Sequence, residues 1–174
     1  MVELPAQQTD TDRKRFEEIK AKAEKGDAEA QCNLAQCYDG GISVGITNDF
    51  HEAVKWYRKA ADQGHVDAQY NLGIYHAIGI GIAKDSAEAA KWFRRAAEQG
   101  HVDSQYHLGV FFNEGTGLPK DPIEATKWFR KAAAQGDVNA EFNLGVHFIP
   151  TMIIVWYKLR GEDSLRAWQD PEQN

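Results

Sequence analysis

The sequence predicts an all-α protein built from one helical pair repeated along the chain, and three observations carry that prediction. Tryptophan returns every 36 residues, at Trp56, Trp92 and Trp128, each time inside the phrase Lys-Trp-aromatic-Arg-basic-Ala-Ala. Gly64, Gly100 and Gly136 keep the same register and open the related segments His65–Gln69, His101–Gln105 and Asp137–Glu141. Leu34, Leu72, Leu108 and Leu144 each precede a small residue, Ala35, Gly73, Gly109 and Gly145. Self-similarity at this period marks a supersecondary unit stacked on copies of itself.

Residues 1–10 show no periodic pattern and are expected to be disordered. Residues 11–25 lack the tryptophan but place Phe16, Ile19 and Ala23 on one helical stripe, so they align as a degenerate second helix ahead of Gly26, a polar-faced cap on the stack. Repeats then follow at 26–63, 64–99 and 100–135, with a partial unit at 136–149. The first repeat is longer than the others between Tyr38 and Asp49, and an insertion between two periodic segments belongs in a loop.

The first helix of each unit, the A helix, carries the leucine with aromatics or cysteines at helical spacing, as in Tyr70, Leu72 and Tyr75. Glycine inside a helix costs ~1 kcal/mol relative to alanine, so its return at one repeat position implies a close helix contact. The second helix, B, begins at Asp49, Asp85 or Asp121 with glutamate three residues on, the capping-box spacing. Pro122 falls at the first helical position, where the missing N–H is harmless. Paired alanines lead each B helix into Gly64, Gly100 or Gly136, expected as left-handed caps.

This pattern resembles the Sel1-like repeat family, a relative of the tetratricopeptide repeats. The matching residues are Ala68–Gly73, Gly79, Gly81, Asp85, Ala89, Lys91-Trp92-Phe93, Ala96-Ala97 and Gln99-Gly100, with parallels in the neighbouring units over about residues 26 to 149. The resemblance implies a right-handed α/α solenoid of antiparallel helix pairs whose concave wall, built from A helices, commonly binds proteins. Adaptors, secretion factors and proteins encoded with bacterial toxins occur in the family, so the resemblance implies a non-enzymatic adaptor or neutralising partner in a bacterial system.

After Phe148 the repeat stops. Pro150 stands where turn glycines are expected, and no counterpart of the tryptophan occurs 36 residues after Trp128, at Ser164. The apolar run around Ile153, Ile154 and Trp156 reads as a capping helix over 150–160, or else as an oligomer contact making a homodimer. It is too short for a membrane span, which needs about 20 apolar residues. Residues 161–174 form a polar tail.

A formal net charge of -6 argues against nucleic acid as the main ligand, so the expected partner is a protein or peptide. No secretory signal is visible at the N-terminus, which predicts a cytoplasmic chain unless an export signal has been removed. Cys32 and Cys37 take positions filled by Tyr70 and Tyr75 one repeat later. They read as core filler, and their spacing on one helix disfavours a disulfide between them. The family's cysteine-rich branch, to which lactam or cell-wall hydrolysis has been attributed, staples its units with paired cysteines that this chain lacks.

No histidine pair has zinc spacing, and His65 and His101 share one loop position, where they read as solvated or capping residues; no cofactor or metal is expected. Two periodic features remain as candidates. Asn33, Asn71, His107 and Asn143 directly precede the A-helix leucines; they either form a polar ladder that grips an extended backbone or carboxylate, or bond a neighbouring helix and fix the stack. Lys55, Arg58 and Lys59, Lys91, Arg94 and Arg95, and Lys127, Arg130 and Lys131 each share one B-helix face. They form either a ridge for an acidic partner or a solvated face whose stems cover the tryptophans and whose charges meet nearby acids. An enzyme should break the repeat at one unit, and the single polar change on the ladder is His107.

Overall fold

The computed structural model describes residues 6–40 and 48–145. They form α1 (Ala6–Glu24), α2 (Ala28–Gly40), α3 (Phe50–Asp62), α4 (Val66–Ile78), α5 (Ser86–Glu98), α6 (Val102–Glu114) and α7 (Pro122–Ala133). An eighth helix, α8, occupies 138–145, and no strand occurs among the described residues. Each helix from α1 to α7 packs on the next in chain order, which makes a linear stack. The A helices are α2, α4, α6 and α8; the B helices are α3, α5 and α7, with α1 in the place of a B helix ahead of α2.

The junctions explain the repeated phrase. At the end of α3, Gly64 N–H donates to the Ala61 carbonyl and His65 N–H to the Ala60 carbonyl, with Gly64 at φ 91°. That is the double bond pattern of a Schellman close, which needs a left-handed residue and therefore glycine. The same pair of bonds follows α1, α5 and α7, through Gly26, Gly100 and Gly136. The residue after the glycine then caps the next helix. Nδ1 of His65 and His101 accepts from the N–H of Ala68 and Ser104, while Asp27 and Asp137 accept from Ala30 and Ala140. One residue thus closes a B helix with its backbone and opens an A helix with its side chain.

The B-helix starts are only half a capping box. Oδ1 of Asp49, Asp85 and Asp121 accepts from the second and third backbone N–H groups of the helix. The reciprocal bond is absent from this design, because the aspartate N–H donates instead to a carbonyl at the end of the preceding A helix: Tyr38, His76 or Phe112. The bond to Tyr38 closes over two more residues of sequence than the other two. The glutamates, released from capping, pair with Lys55, Lys91 and Lys127 one helical turn on.

Leu34, Leu72 and Leu108 are fully buried, as are Tyr57, Phe93 and Phe129 on the B helices. Each such side chain contributes ~1.5–3 kcal/mol on removal from water. A Cβ on Gly73 would meet the Phe93 ring at 2.7 Å, and one on Gly109 the Phe129 ring at 2.7 Å. Gly73 and Gly109 therefore let a B-helix phenylalanine lie on the A-helix backbone. α1 starts at Ala6, so residues 6–10 are helical where disorder was expected. With Pro5 just ahead and no glycine or proline after it until Gly26, nothing in that stretch interrupts the helix. α1 does the work of a B helix: Ala23 is buried, Phe16 stands edge-on to Tyr38 at 6.1 Å, and the Ala23 carbonyl accepts from Gln31.

Candidate functional site, the exposed face of the A helices

Asn33, Asn71, His107 and Asn143 are all half-buried on successive A helices. Their leucine neighbours point into the seam between layers, and one residue back turns a side chain about 100° around the helix, onto its flank. The amide of Asn71 donates to the Asp67 carbonyl at 2.9 Å and that of Asn143 to the Asn139 carbonyl at 2.8 Å. Asn33 donates to Glu29 Oε1 at 3.4 Å. All three bonds stay within one helix. Of the two readings of these residues, a bond to a neighbouring helix is not the one the asparagines make: each donates to a group four residues back on its own helix.

His107 behaves differently. Its ring stacks on Phe93 at 5.1 Å between centroids and 15° between planes, and lies 6.0 Å from Tyr70 and 5.6 Å from Tyr106. Burial holds its pKa below the usual imidazole value, with His101 adding to the effect and Asp103 and Asp137 opposing it. It is an aromatic plate joining the second and third repeats, while the other rungs are amides.

The stack is fixed by glutamines that sequence reasoning passed over. Gln31, Gln69 and Gln105, all buried, donate to the carbonyls of Ala23, Ala61 and Ala97 on the preceding unit, each at 3.1 Å. Their own oxygens accept from Gln63, Gln99 and Gln135 at the end of the B helix that follows. The first three unit boundaries thus carry a two-glutamine relay, while Glu141 takes the glutamine position at the fourth. The signal was present in the sequence, since both glutamines recur in register, but only burial distinguishes a fixing residue from a surface one. The cap histidines add a second tie: His65 Nε2 lies 2.9 Å from Glu29 and His101 Nε2 3.7 Å from Asp67. With Nδ1 accepting a backbone N–H, Nε2 carries the proton and faces the acid.

The basic triplets are dispersed by their neighbours. The first lysine of each pairs with a glutamate on its own helix, and those pairs raise the pKa of Lys55 and Lys127. The third residue covers its own helix's tryptophan: Lys59 over Trp56 at 3.7 Å, Arg95 over Trp92 at 4.4 Å, Lys131 over Trp128 at 3.8 Å. The middle arginine reaches the next repeat, Arg58 to His76 Nε2 at 3.0 Å and Arg94 over Phe112 at 5.3 Å. This arrangement follows the solvated-face reading of the triplets. Burial first, and Arg58 second, hold the His76 pKa below its ordinary range.

Cys32 and Cys37 carry free thiols, and burial pushes the Cys32 thiol up to about 12. Among the described residues no group of three or more histidines, cysteines or carboxylates could hold a metal ion, and no helix is long and apolar enough to cross a membrane. Ile153, Ile154, Trp156 and the expected capping helix over 150–160 lie outside the described residues.

The model of the Sel1 repeat matches residues 28–65, 66–101 and 102–137, each match running from the start of an A helix to the cap of the next. The chain belongs to the Sel1 repeat family. Among solved structures it is similar to a Sel1 repeat protein from Oxalobacter formigenes, at 37% identity and a TM-score of 0.69 over 75% of this chain and 97% of that one. It is also similar to a protective antigen of uropathogenic Escherichia coli with the same repeat fold, at 38% identity and a TM-score of 0.74, over 78% of this chain but 29% of that one. Cysteine rich protein B of Helicobacter pylori shares the fold at 23% identity and a TM-score of 0.55, over 72% of this chain and 93% of that one. A curated relative, chitin synthase regulatory factor 3 of Schizosaccharomyces pombe, is 33% identical over 69 residues, which are 40% of this chain and 7% of that protein. These Sel1 neighbours are stacks of helical pairs, as the chain itself is.

Proposed function

We propose that this Sel1 repeat chain is a non-enzymatic interaction module that holds a peptide or protein surface against its A-helix face, at Asn33, Asn71, His107 and Asn143. Sel1 repeat proteins in general serve as protein-interaction scaffolds, and the chain has that architecture over three consecutive units. One observation supports the choice of face. The half-buried asparagines hydrogen-bond inside their own helices, while glutamines, cap residues and the His107 ring join the units, so the three amides are not committed to the stack. An amide row so placed offers both donors and acceptors to an extended backbone. In a bacterial setting such a module would act as an adaptor in a larger assembly or as the neutralising partner of an effector.

The test is affinity capture with the native chain beside a variant carrying Asn33→Ala, Asn71→Ala, Asn143→Ala and His107→Phe, the last chosen to keep the ring stack. A partner retained by the native chain and lost by a variant with unchanged circular dichroism supports the reading. Retention by both overturns it.

A further inference from the structure

The two ends of the described stack differ. At the N-terminal end α1 turns Phe16, Ile19 and Ala23 onto α2, and its other side chains between Asp10 and Glu24 are polar apart from Ala21. A polar outer face of this kind is what a terminal unit of a solenoid needs. At the other end α8 carries an apolar face with no described helix on it. Val138 and Phe142 are 72% and 71% exposed, whereas Val66 and Val102, and Tyr70 and Tyr106, are half-buried at the same repeat positions. Leu144 is half-buried where Leu34, Leu72 and Leu108 are fully buried.

The other repeats show what such a face receives. Tyr70 meets Phe93 at 6.1 Å between centroids, and Tyr106 meets Phe129 at 5.9 Å. The same two phenylalanine rings lie on Gly73 and Gly109. Helix α8 has both parts of this receptor, Phe142 and Gly145, yet a Cβ on Gly145 would meet nothing within 4 Å among the described residues. Glycine is a poor helix former, and no described neighbour accounts for it at this position.

The segment at 150–160 carries the missing aromatic. In α7, Pro122 at the helix start precedes Trp128-Phe129-Arg130 by six residues; Pro150 precedes Trp156-Tyr157-Lys158 by the same six. In that register Ile153, Trp156 and Tyr157 take the places of Ala125, Trp128 and Phe129, all buried. Tyr157 follows Gly145 by 12 residues, where Phe129 follows Gly109 by 20. A tight hairpin absorbs the difference, since antiparallel helices need a joint of only about 2–5 residues and residues 115–121 separate α6 from α7.

We infer that residues 150–160 of this chain occupy the open α8 face as a shortened B helix, with Tyr157 lying on Gly145 and against Phe142. The segment completes a fourth helical pair whose shortened hairpin hides it from the 36-residue period. A second copy is the poorer occupant, because the outward side of its α1 has no large apolar side chain to offer Phe142. The inference is independent of the A-helix reading proposed above, and either can fail without the other.

Gly145→Ala in the full chain tests it by sign. Gly145 does not have a positive φ, so on an open helix face alanine, the better helix former, raises the denaturant midpoint. Beneath Tyr157 its Cβ pushes the ring away, the midpoint falls, and the fall should vanish when Tyr157→Ala is also present. A midpoint that rises or stays, or an equal fall with and without Tyr157, overturns the inference. Hydrogen exchange read by peptide is the second measurement. Amides within 150–160 should be protected in a monomer, and Phe142→Asp should speed their exchange by roughly tenfold or more while α4 to α6 keep their protection. Unprotected amides in the native chain overturn the inference. So does protection that fades on dilution together with a dimeric mass by light scattering, which gives the α8 face to a second copy.

Discussion

In the B layer the charged residues of the repeated phrase are engaged within the chain: Lys91 with Glu88, Arg95 over Trp92, Arg94 over Phe112 in the following unit. In the A layer the asparagines engage only their own helices and His107 stacks on Phe93, while Glu29 and Asp67 one turn before the row meet the cap histidines. The same two-helix unit thus places its connecting chemistry in the seams and on the B side and leaves the A side open. Stability and recognition are separable in such a molecule, because a residue that joins units and a residue that faces a partner occupy different rows of the same helix.

That separation can be broken at its firmest point. Gly117 has φ 67°, and a Cβ there would run into the backbone of Ser86 and Ala87 in the preceding unit. Gly117→Ala should cost about 2–4 kcal/mol, from the left-handed strain and the backbone collision together. A fall in the denaturant midpoint beyond that of any A-face substitution checks it.

The glutamine relay is the next most sensitive element. Gln105→Leu removes two hydrogen bonds, one to the Ala97 carbonyl and one from the Gln135 amide, and at roughly 0.5–1.5 kcal/mol each the loss should be about 1–3 kcal/mol. Asn71→Ala, by contrast, should shift stability by no more than about 0.5 kcal/mol, because the Asp67 carbonyl it releases is close to solvent. Equal losses from the two variants would erase the distinction between fixing and facing residues.

A third comparison concerns acid. The folded state keeps His76 neutral, since burial and Arg58 lower its pKa while Glu88 and Asp85 oppose them. An unfolded histidine takes up its proton as pH falls through about 6.5. Below that point the unfolded state binds more protons than the folded one, so stability drops as pH falls toward the lowered folded value. His76→Phe, which installs the side chain that the third repeat uses at Phe112, should flatten this slope. His107, whose pKa is displaced in the same direction, should contribute in the same sense. Thermal melts between about pH 7.5 and 5 read both.

The smallest expected effect is on the ridge. Lys91→Gln removes an exposed ion pair with Glu88, and exposed pairs of this kind contribute little, so the melting curve should be indistinguishable from that of the native chain. A measurable loss would show the B-side charges to be part of the stack.

Most of the fold was legible because the features that specify it are local and repeated. Trp56, Trp92 and Trp128, the aspartate caps and the closing glycines each act within a few residues, and their return in register needs no partner to be seen. The helix–helix contact at Gly73 and Gly109 was legible too, since glycine against its propensity implies a close neighbour. The roles of the polar rows were not. Asn71 and Gln69 lie two residues apart and look alike in sequence; which one crosses to the preceding unit depends on where the helix faces, and the burial of Gln69 beside Ala61 decides it. His107 likewise reads as one more rung until Phe93, Tyr70 and Tyr106 are brought around it from two other helices and its own.

By itself, then, the sequence determined the unit, its period, its helix boundaries and its family, because caps, turns and small-residue contacts are encoded within one repeat. Only the tertiary structure decided which polar residues hold the stack and which face outward. That choice depends on contacts between residues some 30 positions apart, such as Gln99 with Gln69, which no local pattern specifies.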